Sequence, residues 1–520
     1  MAQKSVGTGV SGGSTNTDLI SNITSYGAAV TADSQLRTQI WSELVTRDAR
    51  EKNVFAKFIG GEGSGKPIVE KRDLSAGGSD KVTFTTVAPI RGQGVRGEAV
   101  LKNTTGSLNF GNFYVEVDLI RHAVAWTQVL RLMRFTGKTL DQLSAEVMSE
   151  WASRMEQDLI QYVLRDSCLN LGSENLISGY GSTASGNLKY GDGLSTDIIQ
   201  EAKQNLIANG GQPMNTGGDG NQEIPGYLFF APDACLRPLR SDPDYLEAIT
   251  QADARSGDNK LYSGSYAKWD NNIIANHNLI IDTAQGRQGS PLAPVTRIPS
   301  GSFGAAKVDG WDITADPVNV KASTGWADGD ILGGAGTDFW ANWPGAQVSV
   351  PGAGGSNYSK SSLGNILFVD KDGAYNAFAV DAIGDTITSN AVGDGSGSSY
   401  LELGTQITAS SSAPGLDGQT ANLADGPIMA YPCNSSGTPI GYALAMGEGA
   451  LYLARGAVSN EQIFHYDDFA NSGNQAHLSA VGLQSVYGLA AYQDTSGRVP
   501  GVQLVEVVRQ VPGLTLGTQT

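Results

Sequence analysis

The segment 139–167, TLDQLSAEVMSEWASRMEQDLIQYVLRDS, limits the folds open to this chain more than any other stretch. Leu140, Leu143, Val147, Trp151, Met155, Leu159 and Tyr162 or Val163 fall on one stripe at helical spacing. Thr139 and Gln142 fit a capping box, and Glu150 and Arg154 fit a supporting pair one turn apart. At 1.5 Å per residue such a helix runs to about 40 Å. That is long for a compact domain and suits a spine across a flat molecule.

The rest of the chain alternates between mixed and β-rich character. Residues 1–33 are rich in Gly, Ser, Thr and Asn and read as a mobile arm. Residues 34–61 read as a helix, with Leu36, Ile40 and Leu44 at helical spacing, Phe55, Phe58 and Ile59 at its far end, and Gly60-Gly61 as its stop. KVTFTTV (81–87) and NFYVEVDLI (112–120) read as a long strand pair with a glycine-punctuated tip. A hairpin of this kind has little core of its own and must lie on something, a neighbouring chain included. Residues 191–283 read as mixed α/β, with a helix at 195–210, a buried strand at 226–232, a short helix from 233 and a strand at 271–282. Residues 284–430 carry turn signals throughout, no long helix, and a hairpin with a D-G turn at 366–380; they read as an inserted β domain. Residues 431–520 return to mixed character, with strands in GYALAMGEGALYLARG, LQSVYGLAAYQ and VQLVEVVRQ.

Charge and composition exclude several functions. Lys+Arg is 35 and Asp+Glu is 52, a net charge of −17, which argues against tight nucleic-acid binding because that affinity comes mostly from cations on phosphates. An acidic protein can still surround DNA as a wall. The segment 284–430 alone holds 6 basic and 14 acidic residues, so −8 of that total. No apolar run approaches the ~18 residues of a membrane span. The N-terminus lacks the continuous apolar core of a signal peptide, so the chain is expected to stay in the compartment where it is made. Cys168, Cys235 and Cys433 make no C-x-x-C pair, and His122, His277, His465 and His477 make no i, i+4 pair. They read as buried thiols and isolated imidazoles, not as metal ligands.

Three motifs invite a chemical reading and fail it. Gly60-Gly61-Glu62-Gly63-Ser64-Gly65-Lys66 has the spacing of a phosphate loop, but Pro67 stands where the Mg²⁺-binding Ser or Thr belongs. Asp370-x-Asp372-Gly373 begins like a calcium loop, but its fifth position is Ala374 and its twelfth Asp381, so a plain hairpin turn is favoured. His122, beside Arg121, could act as a pH-sensitive contact; a solvated or hydrogen-bonded histidine at a strand end is the simpler reading. No catalytic, cofactor or metal site is expected.

The order of several segments resembles a known family. ELVTRDAREKNVFAKFIG, KPIVEKRDL, GGSDKVTFTTVAPIRGQGVRGEAVL, LNFGNFYVEVDLIRHAV and the Trp151 helix are similar to the major capsid proteins of tailed bacteriophages, more narrowly the podophage-type capsid family. FFAPDACLRPLRSDPDYLEA and LYSGSYAKWDNNIIANHNLI are similar to later segments of that family. The resemblance implies an α+β, HK97-like coat-protein fold. In it, 1–33 is the N-terminal arm, 34–61 an N-terminal helix and 62–120 the E-loop region. Residues 121–190 form the peripheral domain with the spine helix, and 191–283 with 431–520 the axial domain and C-terminal part. The segment 284–430 departs from the family pattern and is expected as an insertion on the outer face, dispensable for assembly.

The same resemblance implies a structural protein, not an enzyme. It would self-assemble into the hexamers and pentamers of an icosahedral head that encloses double-stranded DNA without sequence-specific binding. Portal, scaffolding and decoration proteins are the implied partners, with no membrane, and the implied location is the virion after assembly in the bacterial cytoplasm. Arg91, Arg96 and Glu98 near the hairpin tip, and Arg121 at its base, are candidates for inter-subunit ion pairs. The rival reading is a β-rich carbohydrate-binding protein or glycan-acting enzyme, with Trp311, Trp326, Trp340 and Trp343 stacking on sugars.

Overall fold

The computed structural model describes residues 54–72, 81–87, 110–127, 140–170, 175–178, 188, 192–215, 225–248, 268–277, 289–298, 331–333, 364–369, 375–384, 400–407, 428–455, 461–466, 478–494 and 497–512. The chain divides into two units: 1–53, 118–157 and 456–487 form one, and 54–117, 158–455 and 488–520 the other.

In the smaller unit, β5 (Asp118–Thr127) runs antiparallel to β22 (Leu478–Ala490), with Asp118 opposite Tyr487 and Thr127 opposite Leu478. β21 (Glu461–Tyr466) pairs with β22 from the other side. The helix α1 (Leu140–Asn170) begins in this unit and continues into the larger one.

The second half of α1 is buried on every face. From Glu156 to Cys168 each residue is buried, charged and polar ones included. The apolar stripe in the sequence accounts for Leu159, Tyr162 and Val163 only. Arg165 is fully buried, and its Nε donates to the Asp166 carboxylate at 2.7 Å. Its Nη1 donates to the Pro291 carbonyl at 2.6 Å, and its guanidinium lies 5.1 Å from the centre of the Tyr162 ring.

The main sheet of the larger unit has the strand order β6 (Leu176–Ser178), β23 (Val502–Val508), β19 (Ile440–Met446), β8 (Pro225–Pro232), β10 (Asn272–His277) and β9 (Lys268–Trp269), with β7 (Met214–Asn215) also paired to β8. Both faces of its centre are covered, which is why GYLFFAP reads as an unbroken apolar run rather than an alternating one. On one face lies α2 (Thr196–Ala208). Ile198, Ile199, Ala202 and Leu206 of α2 pack with Phe229, Ala231, Ala443, Val505 and Val507. Ser195 caps α2 by accepting from the Ile198 amide, and Asp242 accepts from the Thr196 amide at 2.7 Å. On the other face Phe55 meets Phe230 at 4.6 Å between ring centres. The short helix expected after β8 is α3 (Asp233–Leu236).

A second sheet has the order β13 (Thr296–Ile298), β18 (Ile428–Cys433), β15 (Asn365–Val369), β16 (Tyr375–Gly384), β17 (Tyr400–Gln406) and β14 (Ile331–Gly333). β15 and β16 are the hairpin expected at 366–380, paired from Asn365↔Ala379 to Val369↔Tyr375. A short hairpin of β11 (Gly289–Ser290) and β12 (Ala293–Pro294) leads into this sheet. Its cluster of Val295, Leu367, Val369, Ala377, Tyr431 and Cys433 is completed by Val511.

One helix expectation is corrected. Val54–Phe58 is a turn of 3-10 helix, and β1 (Ile59–Gly61) follows, parallel to β2 (Ile68–Lys71). Ile59 is opposite Ile68, so strand pairing replaces the last helical turn. The same geometry disposes of the phosphate-loop spacing: the glycine segment joins two strands and opens no helix. Residues 34–53, and the arm at 1–33, lie outside the described residues. All three cysteines are buried and free, and burial pushes their thiols up, that of Cys235 to about 12.

Replacing Arg165 by Met leaves Asp166 buried without its cation, and is expected to cost about 3–5 kcal/mol. Chemical denaturation of the purified chain checks it; a loss under about 1 kcal/mol would remove Arg165 from the core's energetics.

Candidate assembly surface

The hairpin that the sequence marks as a contact element is β3 (Lys81–Val87) with β4 (Phe110–Glu116), paired from Lys81↔Glu116 to Val87↔Phe110. Successive side chains alternate between two faces. Val82, Phe84 and Val115 are buried, whereas Lys81, Thr83, Thr85, Asn112 and Tyr114 are exposed.

The inner face lies on the chain's own body. Val82, Phe84 and Val115 pack against Val69 of β2 and Ala454 of β20 (Leu451–Arg455), with Phe113, Tyr452 and Ala490 at the edge. Phe84 and Phe113 stack at 5.5 Å, and Tyr452 meets both edge-on at 4.9 and 4.8 Å. Gly488 makes the close approach possible, since a Cβ there would stand 1.9 Å from the Glu116 carbonyl oxygen. Charges frame the base: Lys71 bonds the Thr83 carbonyl and pairs with Glu62, and Arg72 and Arg455 both reach Glu70. The expectation that the hairpin lacks a core of its own is therefore corrected for its base. The covering strand, β20, comes from far along the chain, and local sequence could not reveal it.

The outer face is polar with one aromatic. Lys81 Nζ pairs with Glu116 at 2.6 Å and lies 4.4 Å from the Tyr114 ring centre. Tyr114 is 59% exposed. This row of Lys81, Tyr114 and Glu116 has no role in the chain's own core, and strand alternation at 81–87 and 110–116 is the signal that would have found it. Of the candidates read from sequence, Arg121 lies in β5 opposite Gln484. Arg91, Arg96 and Glu98 lie outside the described residues. Trp311, Trp326, Trp340 and Trp343 lie outside them too.

His122, also in β5, is partly exposed, and its ring lies 4.6 Å from that of Trp151 of α1, tilted by 32°. Partial burial holds its pKa below the ordinary 6.5. A lowered histidine pKa favours the neutral ring in the folded state. Its contribution to stability is thus fully present above pH 6.5 and declines as the pH falls below that value.

Two outcomes are expected. In Gly488→Ala the added methyl meets backbone and costs about 1–3 kcal/mol, read as a lower unfolding midpoint. His122→Gln flattens the fall in thermal stability between pH 6.5 and 5 relative to the wild type; parallel profiles would show that His122 does not contribute.

Comparison with known proteins agrees with this architecture. Residues 21–161 match the phage capsid protein family. No curated protein matches the chain. Among solved structures, the capsid of Ralstonia phage GP4 aligns over 91% of this chain and 96% of its own, at 14% identity and a TM-score of 0.50. The Cyanophage Pam1 capsid aligns over 92% and 98%, at 12% identity and a TM-score of 0.49. Residues 21–161 are thus similar to the phage capsid protein family, and the chain has the α+β, HK97-like fold of the GP4 capsid.

Proposed function

We propose that the protein is the repeating subunit of an icosahedral phage head, assembled from hexamers and pentamers around double-stranded DNA. The observation that carries this reading is the alignment with a phage capsid chain over nearly the full length of both. The exposed row on the hairpin supports it, because a shell subunit completes its burial on its neighbours through head-to-tail contacts. In this reading 62–120 is the E-loop region, 121–190 the peripheral domain, and 191–283 with 431–520 the axial part. The segment 284–430 is the insertion on the outer face. Arg91, Arg96, Glu98 and Arg121 join Lys81 and Glu116 as contact residues.

The role is structural and needs no catalysis or cofactor. The net charge of −17 suits a wall that encloses DNA without gripping its sequence. A portal and a scaffolding protein would nucleate and shape the shell in the bacterial cytoplasm, and a decoration protein would bind the finished virion.

Expression of the full chain, alone and with a scaffolding partner, followed by negative-stain microscopy, tests the proposal. Closed shells or six- and five-fold rings are expected; a persistent monomer under both conditions overturns it. Tyr114→Asp is expected to change subunit stability by under about 1 kcal/mol, since the ring is exposed, while lowering the yield of closed shells. Undiminished yield would remove the hairpin's outer face from the contact.

A further inference from the structure

The chain enters the second sheet through a short run, Ser290–Thr296, in which every residue is buried. Burial of a non-helical backbone requires a partner for each carbonyl. Pro291 accepts from Arg165 Nη1 at 2.6 Å, and Leu292 from the Tyr442 amide at 2.8 Å. Ala293 and Pro294 both accept from Arg509 Nη1, at 2.9 and 2.8 Å. Ser290 donates its hydroxyl to the Gln161 side-chain carbonyl. Successive carbonyls are thus held by α1, by β19, and by a residue just beyond β23.

Arg509 differs from Arg165 in one respect. It is 3% exposed, yet among the described residues no carboxylate pairs with it. Its charge rests on two backbone carbonyls and on the Tyr431 ring, 4.8 Å below the guanidinium. A buried cation without a counter-ion is costly, and burial lowers its pKa accordingly. A neutral side chain could fill the same space at less cost. What it could not do is join the two places at once, as this guanidinium does by donating through Nη1 to 293–294 while its face lies on the Tyr431 ring. Ala293 and Pro294 form β12, which leads into β13, the strand by which the chain enters the second sheet, and Tyr431 belongs to β18, the strand by which it leaves. The Arg509 amide also donates to Pro439, and two residues later Val511 enters the second sheet's apolar cluster.

We propose that Arg509 and Val511 form a latch that fastens both ends of the inserted sheet to the main sheet, so that the insertion is ordered only once the strand 502–508 is in place. The insertion is then not an appended domain. Its sheet runs in sequence from Thr296 to Cys433, but a segment that follows in the chain holds it. A deletion meant to remove it must spare 289–295, whose carbonyls engage the body.

Hydrogen exchange on the full-length chain tests this. In Arg509→Ala, amides of Ile366–Val369 and Phe378 are expected to exchange on the order of ten- to a hundredfold faster, the range for losing charged hydrogen bonds. Those of Leu228–Ala231 and Leu444 should stay within about twofold of wild type. Should that variant fail to fold, Val511→Ala and Tyr431→Leu leave the cation in place and are expected to speed exchange in the same insertion strands selectively. Unchanged exchange in the insertion, or equal acceleration in both sheets, overturns the latch.

Discussion

The larger unit is organised around a helix that is buried on all sides while carrying charge. From Asp158 to Cys168, α1 has no solvent-facing side to which a polar residue could turn, so each polar group there needs a partner within the protein. Arg165 and Asp166 solve this locally through their own pair, and Arg165 Nη1 then donates to the Pro291 carbonyl, in the backbone that leads into the second sheet. Satisfying the helix therefore also fixes where that backbone runs. Removing the arginine would strand both a carboxylate and a carbonyl.

The hairpin shows how one pattern serves two purposes. Its alternating residues put Val82, Phe84 and Val115 on the body and leave Lys81, Tyr114 and Glu116 outward. The inner face holds the ribbon in a defined place. The outer face, anchored in that way, presents an ordered row of charge and aromatic surface rather than a flexible limb. In the shell proposed above, such a row would let contacts worth only a few tenths to one kcal/mol each set register, because their geometry is fixed before the neighbour arrives.

Much of the architecture was legible in the residues. The long helix, the buried strand at 225–232, the capped helix at 196–208 and the two hairpins follow from periodicity, caps and turn residues, which act over a few positions. The phosphate-loop and calcium-loop spacings were set aside for local reasons as well, through Pro67 and Ala374. The misreading at 54–61 shows the limit of this approach. Apolar residues at helical spacing there were claimed by a parallel pairing with 68–71, and the energy of a strand partner outweighs the weak preference of one helical turn.

Local chemistry, then, was enough to name the elements and the order in which they occur, since caps, periods and turns are properties of neighbouring residues. It was not enough to say which elements meet. Tyr452 beneath Phe84, Gly488 against Glu116, Val511 in the second sheet's apolar cluster and Arg509 beside Ala293 join positions far apart in the chain. Such pairs leave no periodic trace, because close packing and the pairing of buried polar groups are satisfied only in three dimensions.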